Sequence, residues 1–372
     1  MNTTILNPDV QAFIAQHLKS DITRILLGKS IFRDVSTREL VEQIEGKNKC
    51  EKKLPLWHTT TGIYYPPRLA IEQSSSQATA AYKAQLIRGQ RVLDITGGFG
   101  VDSYYFSLQA QHVVHCELNA ELSTIVAHNA NILQAKNLTC HIGDGLAYLQ
   151  NTSEPFSTIY IDPARRINTQ KVFKLADCEP DVITHLGLLT QQGARVIIKT
   201  SPLLDIKLGL LSLPQVSEIH IVSVKNDCKE LLWVIDPAFK GVEPQLHCVA
   251  IHSETSKTIY DFKLSEEKAL QDVTFSEPLN FIYEPDVSLL KAGFFKLITQ
   301  KFNVFKLHQH THLYTSDDVI ADFMGKKFKV INAFEYPTFI KTKPIAQANI
   351  VVRNFPLSVD EIKKKHKIKD GG

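Results

Sequence analysis

Between Gln90 and Thr200 five short runs rich in β-branched residues, RVLDI, HVVHCE, LTCHIG, STIYID and RVIIKT, alternate with helix-like segments such as Leu118–Gln134 and Asp177–Leu189. Strands separated by helices of that length form βαβ units, because a parallel pair needs a crossover that two or three residues cannot supply. Near-continuous apolar strands further predict a sheet covered on both faces. Two later runs, EIHIVSVK and ELLWVID, are separated only by Asn226–Lys229. So short a connection requires an antiparallel hairpin. The expected core is α/β, a Rossmann-like sheet of five parallel strands plus an antiparallel hairpin.

At 372 residues the chain exceeds what one compact core usually holds, so several domains are expected. With 44% hydrophobic and 22% charged residues, it is a folded globular chain and not a disordered one. Residues 1–80 read as a helical N-terminal region, with Val10, Phe13, Ile14 and Leu18 at helix spacing and Ser36 or Thr37 capping RELVEQI. GKNKCEKK then reads as a polar stretch and the proline- and hydroxyl-rich LPLWHTTTGIYYPPRLAIEQSSS as loop-like, before QATAAYKAQLI returns to helix. The sheet domain is expected over 81–240. A small α+β, ferredoxin-like region follows over 241–315, and a basic domain over 316–372. From Lys291 onward there are 15 Lys and Arg against 7 Asp and Glu, a surplus of eight within an overall charge of +3. A basic end on an acidic body points to an anionic partner.

The most specific local feature is VLDITGGFGVDS, Val92–Ser103. A strand ends at Asp94, and Thr96, Gly97, Gly98 and Gly100 make a tight turn before a helix opening near Asp102. Such a turn suits close backbone approach to a ligand. By itself it fits any dinucleotide- or nucleoside-binding α/β fold, or a plain βα turn. The series of acids is more discriminating. Glu117 ends the second strand, Asp144 with Gly145 follows the third, and Asp162 ends the fourth in IDPARR. Ligands of open α/β sheets bind outside the carboxyl ends of the strands, where all four acids fall.

The order DITGGFG, CELN, GDG, IDPAR resembles motifs I to IV of class I S-adenosylmethionine-dependent methyltransferases, whose strand inventory is five parallel strands closed by a hairpin. More closely, EQSSSQATAAYKA, TGGFGVDS, IDPARR, KNDCKELL, YEPDVSLLKAGF and VRNFPLSVDEIKKKHKIKDGG resemble bacterial methyltransferases that end in a THUMP-like domain. The resemblance runs from about Tyr64 to the C-terminus. In that family the chain usually continues past KDGG into another strand, so it implies a shortened last domain here. It implies S-adenosyl-L-methionine as cofactor. Asp94, Thr96, Gly97, Gly98, Gly100 and Asp102 would hold its methionine end, Glu117 its ribose, and Asp144 with Gly145 its adenine. Glu72–Ser76 and Thr79 would cover it. Asp162 and Pro163 match the first half of the (D/N)PP(Y/F/W) motif of amino-methyltransferases, which implies transfer to a nitrogen. The second proline and the aromatic are replaced by Ala164 and Arg165, so the stacking platform is missing. Arg165 and Arg166 instead offer phosphate or base contacts.

Other constellations are weaker. The six cysteines show no CxxC pair, which indicates neither a zinc site nor a disulfide framework and fits a reduced, cytoplasmic protein. Cys228, beside Lys229, and Cys178 are the thiols nearest the predicted site, and nucleophilic catalysis on a pyrimidine ring would need one of them. His308, His310 and His312 alternate along a predicted strand and would share one face, a metal arrangement or a polar one. No metal is expected. The N-terminus lacks the pattern of a signal peptide, and no apolar run approaches the roughly 20 residues of a membrane span. The expected activity is methyl transfer to RNA, rRNA or tRNA, held by the basic C-terminal region. The alternatives are a small-molecule methyltransferase with an oligomerisation domain, and a noncatalytic RNA-binding protein.

Overall fold

The computed structural model describes residues 1–165, 175–342 and 345–371, without the side chain of Arg165. It divides into two compact units, Met1–Asp261 and Phe262–Gly372. The first is built on β1 (Arg91–Asp94), β2 (His112–Glu117), β3 (Leu138–Ile142), β4 (Thr158–Ile161), β5 (Val196–Thr200), β6 (Val216–Val224), β7 (Asp227–Ile235), β8 (Gln245–Ile251) and β9 (Lys257–Phe262). They form one sheet in the order β9-β8-β6-β7-β5-β4-β1-β2-β3. β1 through β5 are mutually parallel, whereas β7 runs antiparallel between β5 and β6. The five parallel strands and the hairpin stand where the sequence predicts them.

The sheet is larger than expected. β8 pairs in parallel with β6, His247 opposite His220, so strands read as part of a separate small region extend the main sheet instead. The unit therefore ends at Asp261 and not near residue 240. The N-terminal region also differs: the lysine-rich stretch is the second half of a helix, Thr37–Lys53, and Pro55–Thr59 and Arg68–Gln73 are helical too. Ser36 and Glu39 form the capping box that starts the long helix. Lys49 and Lys52 are exposed, Lys47 and Lys53 half-buried, and Ile44, Gly46 and Cys50 buried, an amphipathic pattern hidden by low overall hydrophobicity. Trp57 anchors this region, wholly buried edge-on against Tyr104.

Towards the amino end of β6, Arg195 donates to both oxygens of Glu218 at 3.0 and 3.1 Å. His220 lies 3.1 Å from the same carboxylate, is hydrogen-bonded to Tyr82 at 2.7 Å, and stacks on His247. Glu218, His220 and His247 gather atoms a metal could use, but the guanidinium already neutralises the carboxylate. The hydrogen bond from His220, followed by the charge of Arg195, outweighs partial burial and pulls Glu218 down to about 2, whereas burial holds His220 down at about 4.

The second unit carries β10 (Phe281–Pro285), β11 (Phe305–His308), β12 (Thr311–Ser316) and β13 (Gly325–Lys329) in the order β11-β12-β10-β13. β11 and β12 form a hairpin, so the histidines do not alternate along one strand: His308 is on β11, His310 in the turn and His312 on β12. Two short helices follow β10, Val287–Ala292 and Leu297–Phe302, the first ending at Gly293 with φ +79°. No helix among the described residues is long and apolar enough to cross a membrane.

Arg195→Met leaves Glu218 without its main counter-charge in a mostly buried place. The expected loss is about 2–3 kcal/mol, less than for a fully buried pair because Glu218 retains some exposure. Denaturant unfolding measures it, and unchanged stability would contradict the assignment.

Candidate active site

The acidic residues expected at the strand ends collect at the carboxyl edge of the first unit's sheet. Asp94, at the end of β1, is buried, and each of its oxygens takes one donor, the Thr96 amide at 3.2 Å and the Ser103 hydroxyl at 2.5 Å. It braces the turn from beneath. Burial pushes its carboxyl up to about 7, against the pull of those two donors and with help from the charges of Asp102 and Asp162. Gly97 packs on β2, where a Cβ would fall 2.2 Å from the buried His115 ring. Gly100 has φ +73°, and a side chain there would meet Val126 at 2.4 Å. These two positions explain why the turn is written with glycines.

Glu117, half-buried at the end of β2, accepts from the Gly98 amide at 2.9 Å and the Asn119 amide at 2.8 Å. A carboxylate offers about four lone-pair positions, so one remains on each oxygen. Asp144 is exposed and caps the helix Gly145–Asn151 through the Leu146 amide at 2.8 Å. Gly145 is buried at the start of that helix. Thr96 joins the turn to the fourth strand: its hydroxyl accepts the Asp162 amide at 2.6 Å. Asp162 is half-buried and Pro163 buried. Arg165 ends the two-residue strand Ala164–Arg165, opposite Cys178, but its side chain and all of Arg166 lie outside the described residues. Cys228 is half-buried near the tip of the β6–β7 hairpin.

Asp102 turns inward. It accepts from Ser75 at 2.8 Å and from the Tyr160 hydroxyl at 2.9 Å, and lies 3.3 Å from the ammonium of Lys83. Lys83, fully buried on the helix Gln77–Ala84, also donates to both oxygens of Glu230 at 2.9 Å. Glu230 belongs to β7 and is buried. Lys199, on β5, pairs with Asp162. Burial pushes the Lys199 ammonium down, but Asp162 first, then Glu230 and Asp102, outweigh it, so its affinity for the proton is raised. Lys53 donates to the carbonyls of Ile71 and Glu72 at 2.8 and 2.7 Å. Burial brings it down to about 8, opposed by Cys50 and reinforced by the charge of Lys199.

Lys83 and Glu230 lie within EQSSSQATAAYKA and KNDCKELL but carry no role in the sequence reading, and Lys199 lies in no motif. A lysine within IIKT reads as a solvated interruption, and only strand pairing shows what it faces. A separate surface groove, lined by Phe156, Thr190, Gln191 and Pro237, lies at the amino ends of β4 and β5, the opposite edge from the carboxylates.

A Rossmann-like sheet in this order, with a glycine turn and acids at its carboxyl edge, defines a class I methyltransferase. Comparison with known proteins agrees. The crystal structure of a protein from Porphyromonas gingivalis W83, assigned to the methyltransferases, is 32% identical with a TM-score of 0.87, covering 100% of this chain and 93% of that one. A Mycobacterium tuberculosis protein named as an uncharacterised S-adenosylmethionine-dependent methyltransferase is 21% identical over 309 residues, covering 81% of this chain and 80% of the relative. Residues 281–323 match a ferredoxin-like domain, and residues 325–372 a THUMP-like domain. The chain belongs to the class I S-adenosylmethionine-dependent methyltransferases with a C-terminal THUMP-like domain.

The raised carboxyl of Asp94 has a consequence for stability. Its neutral form suits the fold, so its contribution is whole below the unfolded carboxyl range near pH 4 and is lost as pH rises through about 7. Asp94→Asn, which keeps the side chain neutral, should gain stability relative to the wild type as pH rises across that window. Denaturation at stepped pH measures the difference, and a flat difference would contradict the assignment.

Proposed function

We propose that this protein transfers a methyl group to RNA, rRNA or tRNA, at the carboxyl edge of its large sheet. S-adenosylmethionine supplies an electrophilic methyl on a sulfonium when it is bound. The residues at that edge fit it. Gly97 and Gly98 of the turn Thr96–Gly100 present backbone without side chains to its methionine end, while Asp94 and Asp102 hold that turn and the helix behind it from the protein side. Glu117 keeps a free lone pair on each oxygen for the two ribose hydroxyls. Asp144, exposed at a helix start with Gly145, meets the adenine. Asp162 and Pro163 border the place of the reacting methyl, and catalysis draws chiefly on proximity and orientation.

The observation that carries the RNA reading is the distribution of lysines in the second unit. Lys326, Lys327 and Lys329 are exposed on β13, an edge strand, beside the half-exposed Phe328. Lys364, Lys365, Lys367 and Lys369 are exposed on and after the helix Val359–His366. Lysines of this kind give affinity and register through phosphates, without sequence preference. The THUMP-like assignment of residues 325–372 supports the same reading. Mass mapping of tRNA and rRNA nucleosides from a strain lacking the gene tests it: one methylated nucleoside should be missing, and an unchanged set would contradict it.

Glu117→Ala should weaken cofactor binding by about 1–3 kcal/mol, since two hydroxyls lose their acceptor. Calorimetry reads it directly, and an unchanged dissociation constant would remove Glu117 from the site. Replacing Lys364, Lys365 and Lys367 with Gln should flatten the salt dependence of RNA binding by up to about two to three units of slope. Equal slopes for variant and wild type would make these lysines a solvated surface.

A further inference from the structure

Asp162 does not face the site alone, and its neighbour changes the chemistry that the site can perform. Tyr160 pairs with Ile197 across β4 and β5, so Asp162 and Lys199, each two residues further on, share one face and meet. Lys199 stands opposite Leu232 of β7, which puts Glu230, two residues before it, on that same face. Glu230 is in turn held by Lys83. Two ammonium groups and the carboxylates of Asp102, Asp162 and Glu230 thus form one network. Its Lys83–Glu230 end has side-chain exposures of 0% and 3%, whereas Lys199 and Asp162 keep 15% and 31%. Among the described residues of this network, the Lys199–Asp162 end is the one open to an incoming substrate.

We infer that the methyl acceptor is an alcohol oxygen, a ribose 2′-hydroxyl within the RNA reading proposed above on which this rests, and that Lys199 and Asp162 are the residues that touch it. An exocyclic amine brings two N–H donors and needs acceptors around it. A lysine ammonium offers only donors, and its charge opposes the positive charge that an attacking nitrogen develops. A hydroxyl is the complementary partner. Its oxygen accepts from Lys199, its proton points to Asp162, and the ammonium favours the negative charge that grows as that proton leaves. The replacement of the motif's second proline and aromatic by Ala164 and Arg165 agrees, since no stacked base has to be clamped at the reacting atom.

Because Asp162, Glu230 and Asp102 together raise its proton affinity against burial, Lys199 stays charged at neutral pH and acts as a donor. Asp162 is then the proton acceptor. In the balanced step an oxygen–carbon bond forms as the methyl's bond to sulfur breaks. The sulfur keeps that electron pair and becomes a neutral thioether, and the hydroxyl proton passes to Asp162 and on to solvent. Glu230 and Lys83 are positioning residues: they fix the charge beside Lys199 without reaching the substrate.

The test uses the full chain, methyl-labelled S-adenosylmethionine, and total tRNA and rRNA from a strain lacking the gene. Alkali cleaves RNA through the 2′-hydroxyl, so a methyl on that oxygen leaves a resistant dinucleotide. Label in alkali-resistant dinucleotides is the expected result. Label in the base of a mononucleotide would overturn the oxygen acceptor while leaving RNA methylation standing, and no label in either RNA would overturn both. Lys199→Met should lower incorporation by ~10²-fold or more, the scale for one positioned donor, with S-adenosylhomocysteine affinity unchanged in calorimetry. Lys199→Arg, which keeps charge and donors, should recover part of the rate and shows whether loss in the first variant is chemical. Full activity in Lys199→Met, or loss of cofactor affinity in step with rate in both variants, would remove Lys199 from the reaction.

Discussion

Lys83 carries a charge into packing that leaves its side chain no exposed surface, and the site is arranged around neutralising it. An unpaired ammonium there would be prohibitively costly, so Glu230, Asp102 and Ser75 must all stand within reach. Those partners come from β7, from the helix Val101–Ser107 that follows the glycine turn, and from the segment before Lys83's own helix. Asp102 also takes the Tyr160 hydroxyl, which brings β4 into the same network. One buried charge thereby sets the turn, the covering helix and the end of the fourth strand against each other. The Thr96 hydroxyl on the Asp162 amide makes a second link between turn and strand.

This arrangement also explains the place of β7. An antiparallel strand between β5 and β6 brings the tip of the hairpin back to the carboxyl edge. Glu230 can meet Lys83 and influence Lys199 only because the chain returns in that direction. With a parallel strand in its place, the same residue would follow a different register and face a different end of the sheet. Topology here delivers an acid to a site whose other acids come from the ends of parallel strands.

Much of this was legible in the chain. Five apolar runs and a short hairpin connection suffice for the sheet, and the acids at the ends of the first four strands sit at one edge because parallel strands all point the same way. Asp94 and Asp102 were legible as acids flanking the glycine turn, but their inward orientation was not, since a carboxylate's direction depends on which hydroxyls and amides the fold brings beside it. The Lys199–Asp162 and Lys83–Glu230 pairs were invisible because each joins residues far apart in sequence. β8 and β9 were mistaken for another domain because Asp236–Glu243 contains no helix, yet a strand can add in parallel beside β6 after a loop of that length when β7 lies between β6 and β5. The histidines were misread because FKLHQHTHLY contains no glycine or proline to mark the turn at Gln309–His310.

The account makes the carboxyl edge of the large sheet a single place where cofactor, acceptor and the Lys199–Asp162 pair meet. A crystal structure of the full chain with S-adenosylhomocysteine tests this most directly. The account predicts the ribose on Glu117 and the thioether sulfur turned toward Asp162 and Lys199. Product bound with its sulfur away from that pair, or seated in the groove at the amino ends of β4 and β5, would contradict it.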